Sequence, residues 1–216
     1  AFQQGLRGLG WGEGQNITIE YRFAEGKLDR LADLVTELVG LKVDVLVATG
    51  GTPPALAAKK ATTMIPIVFL PVGDPVATGL VASLARPGGH TPALSNMQLS
   101  LSGKRLELLK EAVPKVSRVI VLWNPGNPFS ELALRETEVA AQALRVQLQS
   151  LEVRGPKDLE PAFSEMSAAR AGALLVMADS MFRGERARLA DLAVKERLPT
   201  VLPQGVYVEA GGLMSY

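Results

Sequence analysis

Four short loops carry the residue types that can hold a small ligand. Thr49, Gly50, Gly51, Thr52 and Pro53 follow an apolar run at 43–48, and Gly73 and Asp74 follow one at 65–72. Asn124 and Asn127 follow a third run at 118–123, and Asp179, Ser180 and Phe182 follow a fourth at 173–177. Thr52, Asp74, Asn127 and Asp179 or Ser180 are residues whose side-chain oxygen caps a helix, and Pro53, Pro75 and Pro128 suit its first position. Gly50 and Gly51 let the backbone approach a ligand closely. Helix starts of this kind present N–H groups to a carboxylate or phosphate, so Thr52 and Asn127 are expected to receive an acid group. Asp74 and Asp179 are the acids in these loops that a ligand ammonium would meet. Phe182 is expected to supply an apolar wall, and Asn96 and Gln204 complete the candidate ligand-binding set.

The same inventory excludes a good deal of chemistry. The 216 residues include no cysteine and one histidine, His90. Disulfide frameworks, Cys/His zinc sites, thiol nucleophiles and His-dependent triads are therefore out of reach, and no catalytic residue, metal or cofactor is expected. Lys plus Arg number 23 against 22 Asp plus Glu, a net charge of +1, which gives nucleic acid no electrostatic foothold. The glycine-rich stretch at 8–14 follows a helical pattern and precedes a strand, the reverse of a dinucleotide loop. Ser102-Gly103-Lys104-Arg105 lacks the upstream glycine and the following Ser or Thr of a phosphate loop. His90 sits in a Pro-Gly turn, Trp123 ends an apolar strand and belongs to the core, and the charges at 183–197 read as a solvated helix face.

Strands and helices alternate in the elements that must position these loops. Strands are expected at 17–21, 43–48, 65–72, 118–123, 146–153, 173–177, 200–202 and 212–216. Helices are expected at 28–41, 53–62, 103–112, 129–144, 159–170 and 183–195, with a further one from Phe2 to a stop at Gly10 and another beginning at Pro75. This is the pattern of parallel sheets covered by helices, an α/β fold of two Rossmann-like lobes. The halves echo each other. Gly26 and Gly155, Asp29 and Asp158, and Val47 and Val176 are each 129 apart, and Pro66 and Pro199 are 133 apart. The lobes are expected at 1–97 and 98–205, with 206–216 crossing back to the first. The second half has a strand at 118–123 with no counterpart in the first, which implies a missing first strand; the chain also stops as a strand begins. Apolar runs fall far short of the roughly 20 residues of a membrane span, so no bilayer crossing is expected. No signal segment is read at Ala1, and the compartment stays open on this ground.

In these motifs the chain resembles the ABC-transporter substrate-binding proteins that include tryptophan- and tyrosine-binding members. GQNITIEYRFAEG (14–26), VDVLVATGGTPPALAAK (43–59), IPIVFLPVGDPVATGLVASLARPGG (65–89), LSGKRLELLKEAVP (101–114), VLWNP (121–125) and VEAGGLMSY (208–216) carry the resemblance over nearly the whole length. It implies a type I periplasmic-binding fold closing on a ligand by hinge motion, in a periplasmic or membrane-tethered extracellular location. It also implies an amino-acid-like, aromatic or branched carboxylate ligand, an ABC permease as membrane partner, and a signal segment and first strand before Ala1 with a further segment after Tyr216. The sequence departs from the family at His90, usually Asn, and at Pro92-Ala93, usually Thr-Gly. The rival readings are a two-lobe glycosyltransferase or epimerase, for which Asp74 and Asp179 would be the sole acids in the loops, and the effector domain of a regulator, for which a DNA-binding helix pair is lacking.

Overall fold

The computed structural model describes residues 2–83, 93–95 and 99–216, the middle segment by its backbone alone. Asn96, His90 and the expected lobe boundary at 97 and 98 lie outside the described residues. The first half runs α1 (Phe2–Gly8), α2 (Leu31–Gly40), β1 (Leu46–Thr49), α3 (Thr52–Ala61), β2 (Ile67–Val72) and β3 (Ala93–Ser95). β1, β2 and β3 form a parallel sheet in that order. Phe69, Val72, Ala55, Ala58 and Leu80 are buried at its centre.

Two expectations fail here. The strand at 17–21 is extended backbone with a single bridge, Glu13 to Ile17, because no strand among the described residues lies beside it to share its hydrogen bonds. The helix expected from Pro75 is a short run of turns. The Asp74 carboxylate accepts from Val76 N at 3.0 Å and Ala77 N at 2.9 Å, and Gly79 turns the chain aside at φ 73°.

The second half runs α4 (Leu101–Ala112), β4 (Arg118–Trp123), α5 (Pro128–Leu144), β5 (Gln147–Glu152), α6 (Leu159–Ala168), β6 (Ala173–Val176), α7 (Ser180–Gly184), α8 (Arg186–Lys195), β7 (Thr200–Leu202), α9 (Gly205–Glu209) and β8 (Met214–Ser215). Its five parallel strands lie in the order β5-β4-β6-β7-β8. Alternate residues serve opposite faces, as the pleat requires. Ile120, Leu122, Leu174 and Val176 pack with α6 and α8, whereas Val119, Val121, Ala173 and Leu175 pack with α4 and α5. Helices on both sides explain why β4 and β6 are almost uninterrupted apolar runs.

The expected helix at 183–195 begins earlier and breaks at Glu185, giving α7 and α8. The segment 206–216 does not return to the first sheet as expected. It forms α9 and then adds β8 to the open edge of β7, pairing Val201 with Met214 and Leu202 with Ser215. The Arg105 guanidinium, buried beneath this edge, fastens it by donating from Nε to the Tyr216 carbonyl at 2.7 Å and from a terminal nitrogen to the Pro203 carbonyl at 3.4 Å. With carbonyls as partners, Arg105 is pushed down to about 10 by burial.

Candidate ligand cleft between the two sheets

In parallel sheets the loops that can reach a ligand follow the carboxyl ends of the strands. The ends of β1, β2, β4, β6 and β7 open on one cleft of about 540 Å³. From the first half it is lined by residues 49–52 and 70–73, and from the second by Asn127, Phe129, residues 178–180, Arg183, Pro203, Gln204 and Tyr207; Phe2 of α1 adds to the wall.

The β1–α3 loop turns through Gly50 at φ 94° and Gly51 at φ 104°, a region costly for any side chain. Gly51 takes the cap position and Thr52 the first helical one, a shift of one from the expected start. Pro53 and Pro54 then remove two of the N–H groups a helix start ordinarily offers, leaving the amides of residues 50–52. The buried Thr52 hydroxyl instead accepts from Gly73 N at 3.3 Å, tying the β1 loop to the β2 loop.

Opposite lies a network centred on Asp179. Asn127 caps α5 by accepting from Phe129 N at 3.1 Å and donates through Nδ2 to Asp179 at 2.8 Å. Asn124 accepts from Gly126 N at 2.9 Å and donates to Asp179 at 3.4 Å, while Asp179 caps α7 by accepting from Met181 N at 2.8 Å. All these donors are neutral. Burial therefore outweighs them and pushes the Asp179 carboxyl above the ordinary aspartate range, against the pull of the Asn127, Met181 and Asn124 hydrogen bonds. Burial likewise raises the Tyr207 hydroxyl, with Asp179 adding to the effect. Arg183, one turn along from Asp179 and exposed, brings a cation to the same wall.

Of the expected site residues, Thr49, Gly50, Gly51, Thr52, Gly73, Asn127, Asp179, Ser180 and Gln204 line the cleft. Pro53, Asp74, Asn124 and Phe182 do not. Asp74 is spent on its own turn, Asn124 is buried beneath the lining, and Phe182 is wholly buried in the core on the α6 side of the second sheet. Arg183, Phe129, Tyr207 and Phe2 escaped sequence reasoning. Arg183 stands four residues after a recognised cap, Phe129 two after another, and Tyr207 in a helix that follows a strand end, so the strand–loop–helix rule reaches all three.

Two glycines bring the halves together. A Cβ on Gly73 would lie 2.1 Å from the Phe129 ring, and one on Gly126 would lie 2.6 Å from Leu28. Because Phe129 is packed among Val119, Val121 and Ala133, its ring has little room to yield. Gly73→Ala is expected to force the halves apart, to cost about 1 to 3 kcal/mol of folding stability, the usual range for overpacking, and to weaken ligand binding. Calorimetry paired with small-angle scattering reads both effects, and an unchanged radius with unchanged affinity would show that this contact does not set the cleft.

Two parallel sheets flanked by helices, whose strand ends share one cleft, are the mark of a two-lobed, type I periplasmic-binding-protein-like fold. The chain belongs to the ABC transporter substrate binding protein family, which it matches over residues 1–216. A tyrosine-binding protein of Clostridioides difficile (strain R20291) is 27% identical over 212 residues, covering 98% of this chain and 60% of the relative. This chain thus spans about three-fifths of that relative's length. A conserved domain protein of Vibrio cholerae superposes with a TM-score of 0.89 at 28% identity, covering 99% of this chain and 71% of the other. An ABC domain from Streptococcus pneumoniae solved with L-Trp gives a TM-score of 0.86 at 22% identity, covering 99% and 71%, a likeness of fold. No helix among the described residues is long and apolar enough to cross a membrane.

Proposed function

We propose that this chain is the ligand-binding portion of a non-catalytic solute receptor for an ABC importer. It works outside the cytoplasmic membrane and hands an amino-acid-like carboxylate to a permease. The observation that carries the reading is the presence of one carboxyl group, Asp179, and one cation, Arg183, on the same wall of a cleft whose other wall is the glycine loop at 50–52. A zwitterion fits such a cleft with its ammonium at Asp179 and its carboxylate between Arg183 and the loop amides. Phe2, exposed, supplies aromatic surface for a side chain, with the buried rings of Phe129 and Tyr207 behind the lining, in keeping with relatives named for tyrosine and solved with L-Trp. Asp179 is the one carboxylate among the described lining residues, which favours binding over paired acid–base chemistry.

The test is calorimetric titration with L-tyrosine, L-tryptophan and their N-acetyl and amide derivatives. One-site binding of an amino acid that is lost on blocking either charge supports the reading. Equal binding of the charged and blocked compounds sinks it.

Asp179 also fixes a pH dependence. Burial raises its carboxyl above the ordinary value of 3.8, so the folded state holds a proton that the unfolded chain releases above about 3.8, and stability from this group falls as pH rises from there through the folded value. An ammonium ligand selects the ionised form. Affinity is therefore expected to be level above the raised value and to fall about tenfold per pH unit below it. Titrations between pH 4 and 8 check this, and an affinity that rises on acidification would place the ammonium elsewhere.

A further inference from the structure

The amino ends of the second sheet lie opposite the cleft, and an arginine stands at the entry to each of four neighbouring strands. In the sheet order β5-β4-β6-β7 these are Arg145, Arg118, Arg170 and Arg197. Neighbouring strands lie about 4.8 Å apart, so the row spans roughly 14 Å. Each lane lies within a Debye length of the next, about 8 Å in physiological salt, so the fields of the charges add. Between the last turn of each preceding helix and its strand, Lys110, Lys115 and Lys195 add three cations, against three acids, Glu111, Glu165 and Glu196. Four arginines and three lysines against three acids leave this edge at +4, in a chain whose total is only +1.

The negative end of a helix dipole attracts a cation, and that accounts for one basic group at each helix end. Two observations exceed it. Arg145, Arg170 and Arg197 hold left-handed backbone at φ 53°, 53° and 52°, the conformation in which glycine ends a helix without strain. Their side chains are exposed and, among the described residues, make no hydrogen bond or ion pair, whereas Arg30, Arg135, Arg154 and Arg188 elsewhere each lie on a glutamate. Arg118, half-buried, donates from Nε to the Gln147 amide oxygen at 3.3 Å and from a terminal nitrogen to the Ala169 carbonyl, both neutral partners. Leu213, at the entry to β8 in the next lane, and Val194, in the last turn of α8, are exposed beside the row.

We propose that this edge docks on an anionic phospholipid surface, with the four arginines on headgroup phosphates and Leu213 and Val194 at the interface. Guanidiniums spread along an edge without acid partners fit a surface of many phosphates better than one bound anion. They line neither the cleft nor the apolar groove of about 470 Å³ beside β1. Because the strand carboxyl ends face the cleft, a protein held by the opposite edge keeps its cleft uncovered. Docking of this kind is independent of which ligand the cleft takes.

Flotation of the purified chain with vesicles of equal parts phosphatidylglycerol and phosphatidylcholine, and with vesicles of phosphatidylcholine alone, tests it. Binding to the anionic vesicles is expected to exceed that to the neutral ones by about tenfold or more and to weaken as salt rises. The chain carrying Arg145→Gly, Arg170→Gly and Arg197→Gly should keep its thermal stability, because glycine is the favoured residue in left-handed backbone at a helix end. It should bind anionic vesicles about a hundredfold more weakly, near fivefold per arginine. Arg30→Gln, Arg135→Gln and Arg154→Gln together remove the same charge from ion-paired sites and should change binding by less than about threefold. Equal losses in the two triple variants would overturn the proposal in favour of net charge, and equal binding to neutral vesicles would overturn it in favour of apolar contact. No binding to anionic vesicles at low salt, with binding to poly-L-glutamate, would make the partner an acidic protein, and no binding to either would leave the arginines to the helix ends; both outcomes also overturn it.

Discussion

Phe182→Ala is expected to cost about 3 to 5 kcal/mol of folding stability, the usual range for emptying a buried phenylalanine site. By residue type and position after a strand, Phe182 reads as an apolar wall for a ligand. Its ring instead turns away from the cleft and is fully buried with Leu159, Phe163, Leu189 and Tyr207. Asp179 holds the start of α7, so Met181 and Phe182 on its first turn point inward while Asp179 and Arg183 stay on the cleft wall. Urea unfolding reads the loss. A stable Phe182→Ala protein with weakened ligand binding would restore the residue to the cleft.

Asp179→Asn is expected to weaken binding of an amine-bearing ligand by about 2 to 5 kcal/mol, or roughly 30- to several-thousand-fold, the range for removing one partner of a buried charge pair. Stability at neutral pH should change little, because the asparagine amino group would face the Asn127 Nδ2 donor that the carboxylate accepts from, which offsets the gain from removing a buried charge. Asparagine caps a helix about as well as aspartate, and the substitution removes an anion whose burial is only partly offset by neutral amides. Asp74→Asn is the control. The sequence presents the two aspartates as equivalent strand-end acids, but Asp74 is engaged by Val76 and Ala77 and lies off the cleft lining, so its substitution should leave affinity unchanged. A loss in Asp74→Asn with none in Asp179→Asn would reverse the assignment.

The second sheet was legible because each of its inner strands is buried on both faces and so reads as an unbroken apolar run. The expected spans at 118–123 and 200–202 match β4 and β7 residue for residue. The strand at 17–21 was equally well patterned, but pairing is a property of neighbours and not of pattern, and its neighbour is not among the described residues. The tail was misread for a related reason. Alternation at 212–216 announces a strand without saying which edge it joins, and the open edge of β7 with Arg105 beneath it decided the matter. The cleft loops were found by the rule that ligands gather at strand ends, which locates a loop but not the direction of each side chain. Thr52, Asn124 and Asn127 are polar and loop-borne as a ligand site demands, yet their hydrogen bonds are largely consumed in holding the loops to one another.

On the proposed function a small zwitterion sits between the two sheets, held by charge on the second-half wall and by backbone on the first. Amide chemical shifts of the ¹⁵N-labelled chain titrated with L-tyrosine test it most directly. One saturable set of changes is expected, shared between the amides of residues 50–52 and those of residues 181–183 on opposite walls of the cleft. Changes confined to one half, or gathered on the groove beside β1, would contradict it.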